Sequence, residues 1–461
     1  MPTSDSTLTV VNPATEMAVA DVERQGTDEA DAIVQRAASA FPSWRDISAS
    51  DRARLLRRFA VQVEEHVEEL ALLETRNVGK PIADSRGEVA MVADVLHFYA
   101  GAVDKHRGAT IPVTGGVDLT LHEPLGVVLA IVPWNFPLAI TSWKVGPALA
   151  CGNTVVVKPA QLTPLTALRF AELALDAGIP EGVLQVVVGP GSSVGSFLVE
   201  HPSVAKVAFT GSTEAGRDVM ARAAGTIKRV TLELGGKSAN IVFADADLER
   251  AAASAPSAVF GNAGQDCCAR SRILVERSAF DRFLDLFIAA TDSVVIGDPE
   301  DPATEMGPLV SEGHRADVSS FLEPSADEVP VAYRGPQRSG PGWWFAPTVV
   351  APVAPGTRLW RDEVFGPVVA VTPFDDEEQA VSLANDTAYG LSGSVWTRDG
   401  ARALRTVQAV NAGVLSVNSN TSVRVNTPFG GMKQSGFGRE LGLEALDSYS
   451  DIKNIFLSTE S

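Results

Sequence analysis

The chain is predicted to be an α/β protein of more than one domain. Short, continuously apolar strands alternate with helical patterns over much of its length, and its 461 residues exceed the roughly 250–300 at which one hydrophobic core stops growing. A third observation is residues 107–124, where Gly, Pro and Thr alternate with Val and Leu; this pattern suits an extended arm or hairpin better than a helix. Two or three domains are expected.

Near the N-terminus, Ser50 and Asp51 are placed to cap a helix whose apolar residues Leu55, Phe59, Val63, Val67 and Leu70 recur every three or four positions. Gly79 and Pro81 mark its end. Such a helix packs one face and carries no chemistry. Beyond the arm, strands are expected at 127–132, 154–158, 183–188, 204–210 and 230–234, with helices after Pro137, over 164–177, after Gly191 and after Ser212. These strands are short and largely continuous apolar runs, which suits a parallel sheet covered on both faces, and ligands then bind beyond the carboxyl ends of the strands. A second α/β block follows, with a helix at 247–262, a loop carrying Cys267, a strand at 273–276 and a helix from Ala279. Residues 295–345, rich in Gly, Pro and charge, read as loops. Helices at 381–385 and 401–409 precede a strand at 413–418.

Composition narrows the function classes. Hydrophobic residues make up 45% and charged residues 21%, as in a folded soluble protein. The net charge of −19 repels a nucleic-acid backbone or an anionic membrane, so neither is expected as a partner. The stretch Met1-Pro-Thr-Ser-Asp-Ser-Thr7 has neither the basic region nor the apolar segment of a secretory signal. The best apolar run, 125–140, is interrupted by Pro133, Asn135 and Pro137 and falls short of the roughly 20 residues a membrane helix needs. Cys151, Cys267 and Cys268 are too few and too unevenly placed for a disulfide framework, which favours a reducing, cytoplasmic setting. The six His residues are scattered without ligand spacing, and no metal is expected.

The chemistry concentrates in residues 233–272, which open with Glu233-Leu-Gly-Gly-Lys237 and close with Phe260-Gly-Asn-Ala-Gly-Gln-Asp-Cys267-Cys-Ala-Arg270. A thiolate attacks a carbonyl carbon and holds it covalently, and a carboxylate then deprotonates the water that releases the product. Five further stretches stand out: Pro133-Trp-Asn-Phe-Pro137, Lys158-Pro-Ala160, Phe209-Thr-Gly-Ser-Thr-Glu-Ala-Gly216, Glu363-Val-Phe-Gly-Pro367 and Pro428-Phe-Gly-Gly431. Together, from about residue 10 to the C-terminus, the chain resembles the aldehyde dehydrogenase superfamily. The resemblance implies a Rossmann-like parallel-sheet cofactor domain (1–106 and 125–236), a second α/β catalytic domain (237–436), and a small β oligomerisation arm (107–124 and 437–461). The arm would join a homodimer or homotetramer.

It also implies roles. Cys267 is the nucleophile and Glu233 the base that activates water. Asn135, an amide costly to bury unpaired, would aim its donor at the oxyanion, with the backbone N–H of Cys267 as second donor. Lys144 and Glu440 resemble residues that pass protons to the base. Cys268 reads as a space-filling neighbour and Cys151 as a small core residue. NAD is the expected cofactor. Its pyrophosphate would lie on Gly211, Ser212 and Gly216, where a helix opens with free N–H groups. Trp134 and Leu234 would wall the site, Lys158 would meet the adenine ribose, and Glu363 and Phe365 the nicotinamide ribose and ring. Gln161 stands where NAD-preferring members often carry Glu; it bonds a hydroxyl but repels no 2′-phosphate, so NADP is also admitted. A second glycine-rich turn, Gly189-Pro-Gly-Ser-Ser-Val-Gly195, has its third Gly one position late for a dinucleotide fingerprint.

Ile140, Trp143, Val423 and Phe429 match positions of the family's substrate tunnel and imply a largely apolar passage. Asp266 suits an ω-aminoaldehyde with an ammonium tail, whereas Arg424 suits a semialdehyde bearing a carboxylate. The reading inclines to the aminoaldehyde. A CoA-acylating dehydrogenase is disfavoured by the presence of Glu233, and a catalytically silent relative has no use for Cys267, Glu233 and Asn135 together.

Overall fold

The computed structural model of the chain describes residues 6–323 and 329–460. The first five residues of the N-terminal stretch, and 324–328 within the expected loop region, lie outside the described residues.

Two open sheets carry the molecule. The first is six-stranded, in the order Gly436–Phe437, Arg229–Glu233, Val204–Thr210, Val127–Val132, Thr154–Pro159, Leu184–Val186. All its pairings are parallel except that of the short edge piece Gly436–Phe437. Successive residues of Val127–Val132 enter different cores. Val128, Ala130 and Val132 pack with the helices Ala49–Glu65, Ile82–Ala102 and Pro137–Cys151, while Val127 and Leu129 pack with Val34, Val207 and Leu198 on the other face. This two-sided burial is why the strand is apolar without alternation.

The second sheet has seven strands, ordered Val331–Arg334, Thr348–Val350, Val368–Phe374, Arg272–Glu276, Ala239–Val242, Ser392–Trp396, Val414–Val417. It is parallel apart from the edge strand Val331–Arg334 and has its own core around Ile273, Phe283, Trp360 and Val371. The arm is a three-stranded antiparallel sheet in which Gly116–Pro124 lies between Thr110–Val113 and Ser450–Ser458. No helix among the described residues is long and apolar enough to cross a membrane.

Several expectations are corrected. The cap of the early helix is Ser48, whose hydroxyl accepts from the Asp51 N–H, and the helix breaks at His66 into Ala49–Glu65 and Val67–Val78. The break turns Leu70 and Ala71 into the core while leaving Val67 half-buried. The 295–345 region holds a helix, Glu312–Ser319, capped by Ser311, and the edge strand. The late glycine of Gly189-Pro-Gly-Ser-Ser-Val-Gly195 makes a wide π turn, Gly191–Gly195, that runs into a helix of one turn, Ser196–Glu200.

Candidate active site

The motifs meet where the carboxyl ends of the two sheets approach each other. Glu233 ends the strand Arg229–Glu233, and the chain then passes through Gly235 and Gly236 before starting the second sheet at Ala239. Those glycines thread a narrow gap. A Cβ on Gly235 would lie 2.2 Å from a Glu363 carboxylate oxygen, and one on Gly236 2.2 Å from the Cys267 carbonyl oxygen. Since no side chain fits at such distances, the Gly-Gly pair is what lets the two sheets bring Glu363 and Cys267 to the same crossing. The Gly236 N–H donates to the Glu363 carboxylate at 2.8 Å.

Cys267 follows the helix Leu248–Phe260 and a kinked turn in which Asn262 and Ala263 have positive φ (49° and 55°). The turn is held by its own amides. Asn262 Nδ2 donates to the Asn135 carbonyl at 3.0 Å, Gln265 Nε2 donates to the Asn262 carbonyl at 2.9 Å, and Gln265 Oε1 accepts from the Val310 N–H at 2.9 Å. Asn135 Nδ2 donates to the Gln265 carbonyl at 2.9 Å, which leaves the second proton of that amide to serve another acceptor. Sequence reasoning quoted Asn262 and Gln265 without giving them work; here they fasten the thiol-bearing turn to the Asn135 loop.

Two cavities open on either side of Cys267. One, of about 240 Å³, is walled by Trp134, Asn135, Leu234, Glu233, Glu363 and Phe365, with Gly211 and Ser212 at its far end. Trp134 meets the Phe365 ring edge-on at 5.3 Å, and Phe365 holds a positive φ of 56°. Ser212 caps the helix Thr213–Ala223, its hydroxyl accepting from Ala215, and Gly216 in the first turn faces Leu234 closely enough that a Cβ would lie 2.6 Å from it. Lys158, at the end of its strand, reaches the Pro159 carbonyl, at 3.3 Å, and no other hydrogen-bond partner among the described residues, and burial lowers its pKa to about 8. Gln161 Nε2 and Thr210 Oγ1 are buried without a hydrogen-bond partner among the described residues. Buried polar atoms without partners are expensive, so these strand ends are suited to a polar ligand. Cationic, amide and hydroxyl groups beside a helix N-terminus fit a dinucleotide.

The other cavity, of about 530 Å³, is walled by Phe136, Ile140, Trp143, Val423 and Phe429, with Asp266 and Glu88 as its acids. Trp143 and Phe429 meet at 5.2 Å. Arg424 is exposed and does not line this cavity, whose cationic residues are Arg250 and Arg270. Arg270 was missed as a contributor. Fully buried, it donates to the Cys268 carbonyl (2.6 Å), Ser392 Oγ (2.6 Å), Ser394 Oγ (2.8 Å) and Ser422 Oγ (2.7 Å), tying the thiol-bearing turn to the 418–422 loop. The available signal was a guanidinium three residues after the candidate nucleophile. Cys268 lines this same cavity, so it is not merely filler on the far side, and Cys151 sits half-buried at the end of its helix.

The ionisable groups are strongly perturbed. Glu233 is 4% exposed and neither of its oxygens has a partner among the described residues. Burial first, and then the nearby Glu440, hold its pKa well above the usual carboxylate range. Gly430 leaves room for this acid: a Cβ there would lie 2.8 Å from Glu233 Oε1. Lys144 and Glu440 form an ion pair with both side chains essentially buried, not on the surface. Glu440 in turn exchanges backbone hydrogen bonds with Phe429, both at 2.7 Å, linking the ion pair to the wall of the larger cavity. The Cys267 thiol is pushed well up by the adjacent Cys268 thiol, by burial, and by the acids Asp266 and Glu363. Burial raises Asp266 although it accepts from the Cys268 N–H at 2.8 Å, and burial raises Glu363 to about 7.

Residues 1–455 match the model of the aldehyde dehydrogenase family. The NADP/NAD-dependent aldehyde dehydrogenase PuuC of Escherichia coli (strain K12) is 42% identical, over 99% of this chain and 93% of that one. Phenylacetaldehyde dehydrogenase of Pseudomonas fluorescens is 43% identical, over 99% and 93%. The crystal structure of PnpE from Pseudomonas sp. WBC-3 in complex with nicotinamide adenine dinucleotide superposes with a TM-score of 0.96 at 43% identity, covering 99% of this chain and 95% of that one.

Proposed function

The chain belongs to the aldehyde dehydrogenase family, and we propose that it oxidises an ω-aminoaldehyde, such as aminobutyraldehyde, to the free acid with NAD as cofactor and NADP admitted. The observation that carries the reading is the place of Cys267 in the wall of both cavities. An aldehyde in the larger one and a dinucleotide in the smaller one would meet at that sulfur.

Cys267 adds to the aldehyde carbon, and the free Asn135 N–H and the Cys267 backbone N–H receive the oxyanion. NAD, when bound, supplies the hydride-accepting carbon and a positive charge that favours the thiolate. Lys158, Gln161 and the Ser212–Gly216 helix start would hold its adenosine and phosphates, and Glu363 its nicotinamide ribose. Collapse of the oxyanion leaves a thioester on Cys267. Glu233 then takes a proton from water, and the Lys144–Glu440 pair behind it passes that proton onward. A group kept protonated by burial needs such an exit before it serves again as a base.

The ammonium preference rests on Asp266 among aromatic walls, since a carboxylate and ring faces both attract an alkylammonium; Glu88 in the same wall is already paired with Lys80 Nζ, at 2.6 and 2.7 Å. An arriving cation would also lower the raised pKa of Asp266. The aromatic walls by themselves favour a second reading, an uncharged arylacetaldehyde, the class named for the Pseudomonas fluorescens relative. A semialdehyde would meet Arg250 and Arg270 in the wall in place of Arg424, and Arg270 is already committed to Cys268, Ser392, Ser394 and Ser422. The apolar residues Ile111, Leu121, Ile452 and Phe456 exposed on the arm support association of copies through it.

The deciding experiment follows NADH formation with aminobutyraldehyde, phenylacetaldehyde and succinic semialdehyde, with and without CoA. The highest kcat/KM is expected with aminobutyraldehyde, independent of CoA. A preference for either competitor would overturn the substrate assignment, and a CoA requirement the hydrolytic one.

A further inference from the structure

We propose that His106, His122 and Asp447 form a binding site for a divalent transition metal such as zinc, fastening the arm to the C-terminal segment. His106 precedes the first arm strand, His122 lies in the strand Gly116–Pro124, and Asp447 sits in the turn Glu444–Tyr449 just before Ser450–Ser458. They are far apart in sequence and adjacent in space. One nitrogen from each imidazole and one Asp447 oxygen all lie within 4.8 Å of one another. His106 Nε2 is already 2.9 Å from Asp447 Oδ1, and the two rings have centroids 3.7 Å apart, tilted by 40°.

Zinc holds nitrogen and oxygen ligands at about 2.0–2.2 Å, so a tetrahedral site spaces its ligand atoms by about 3.3 Å. The ligand atoms, within 4.8 Å of one another, stand close to that size, in a place where both rings are half-buried and Asp447 is exposed. Two neutral imidazoles with one carboxylate are a donor set suited to zinc, nickel or copper and not to calcium or magnesium. A recess of about 190 Å³, bordered by Lys105, His106, Glu444 and Asp447, adjoins the cluster and leaves room for a water at the fourth position. His122 Nδ1 lies 3.2 Å from Ser450 Oγ, a contact that fixes the ring against the third arm strand as second-sphere partners commonly do.

A second set of donors must be kept out of the test, because Asp266, Cys267 and Cys268 also bring ligand atoms within 4.8 Å. The full-length chain carrying Cys267→Ser and Cys268→Ser is therefore stripped with EDTA and titrated with zinc chloride by calorimetry and thermal unfolding. One zinc per chain is expected, with Tm raised by about 2–4 °C at a hundredfold excess over Kd. His122→Ala and, separately, Asp447→Asn in that background are expected to weaken binding by about tenfold or more and to remove the Tm shift. Should His122→Ala fail to fold, His106→Gln takes its place. Absence of zinc binding, or binding and Tm shift unchanged in the folded His and Asp447 variants, would overturn the site.

Discussion

The two cavities that share Cys267 are made in different ways. The smaller is framed by strand ends and the turns directly after them: Glu233 ends one strand, Thr210 another, and Trp134 and Asn135 follow a third. Its glycines are fixed by close approach, so its sequence is dense in motifs. The larger combines one face of a buried helix with the 418–423 loop and side chains from several other segments, none of them required by the backbone to be one residue type. Chemistry common to a family is therefore written in positions that tolerate little change, while the choice of aldehyde is written in positions free to vary.

Substitutions can break this comparison, the shared wall first. Cys267→Ala is expected to lower turnover by on the order of 10⁴-fold or more while leaving NAD affinity, followed through Trp fluorescence, unchanged; loss of cofactor binding would mean that the thiol side chain itself supports the dinucleotide. Glu233→Gln should release one equivalent of NADH in a rapid burst and then stall, with steady-state turnover down about 10²–10⁴-fold. Because burial raises the pKa of Glu233 above its value of 4.5 in the unfolded chain, deacylation in the unaltered enzyme should accelerate as pH rises. The same shift acts on stability: the contribution of the protonated carboxyl is complete below pH 4.5 and is lost as pH climbs through the folded-state value. Thermal unfolding should therefore show Glu233→Gln gaining on the unaltered chain at alkaline pH and matching it most closely in acid.

On the two sides, smaller effects should separate cleanly. Asp266→Asn keeps an acceptor for the Cys268 N–H but removes the charge; KM for aminobutyraldehyde should rise by about tenfold, or 1.4 kcal/mol, with phenylacetaldehyde changed by less than about twofold. Gln161→Glu should cut kcat/KM with NADP by several-fold, roughly 1 kcal/mol of like-charge repulsion, and leave NAD kinetics alone. Arg424→Ala should move neither substrate nor cofactor constants measurably, as expected of a solvated side chain outside both cavities.

Legibility in the sequence followed the same division. The strands of the first sheet could be read because burial on both faces makes them largely continuous apolar runs. Ser392–Trp396 escaped notice because two of its five residues are serines, and partners from distant segments, the Arg270 guanidinium on Ser392 and Ser394 and the Ser238 hydroxyl on Ser392, make those hydroxyls acceptable in a buried strand. The break at His66 was hidden because the helical period runs on across it. The buried Lys144–Glu440 pair is built from residues 296 positions apart, and periodicity reports nothing about such encounters.

By itself the sequence determined the α/β character, the paired thiol and acid, and the family to which the chain belongs, because backbone close approaches and continuous apolar runs leave local traces. Tertiary structure alone decided that Arg424 stays outside, that Arg270 anchors the reactive turn, and that two solitary histidines and a distant aspartate meet at the root of the arm. Each of those outcomes depends on which segments lie side by side in space, and side-chain surroundings created by long-range strand pairing have no counterpart in local order along the chain.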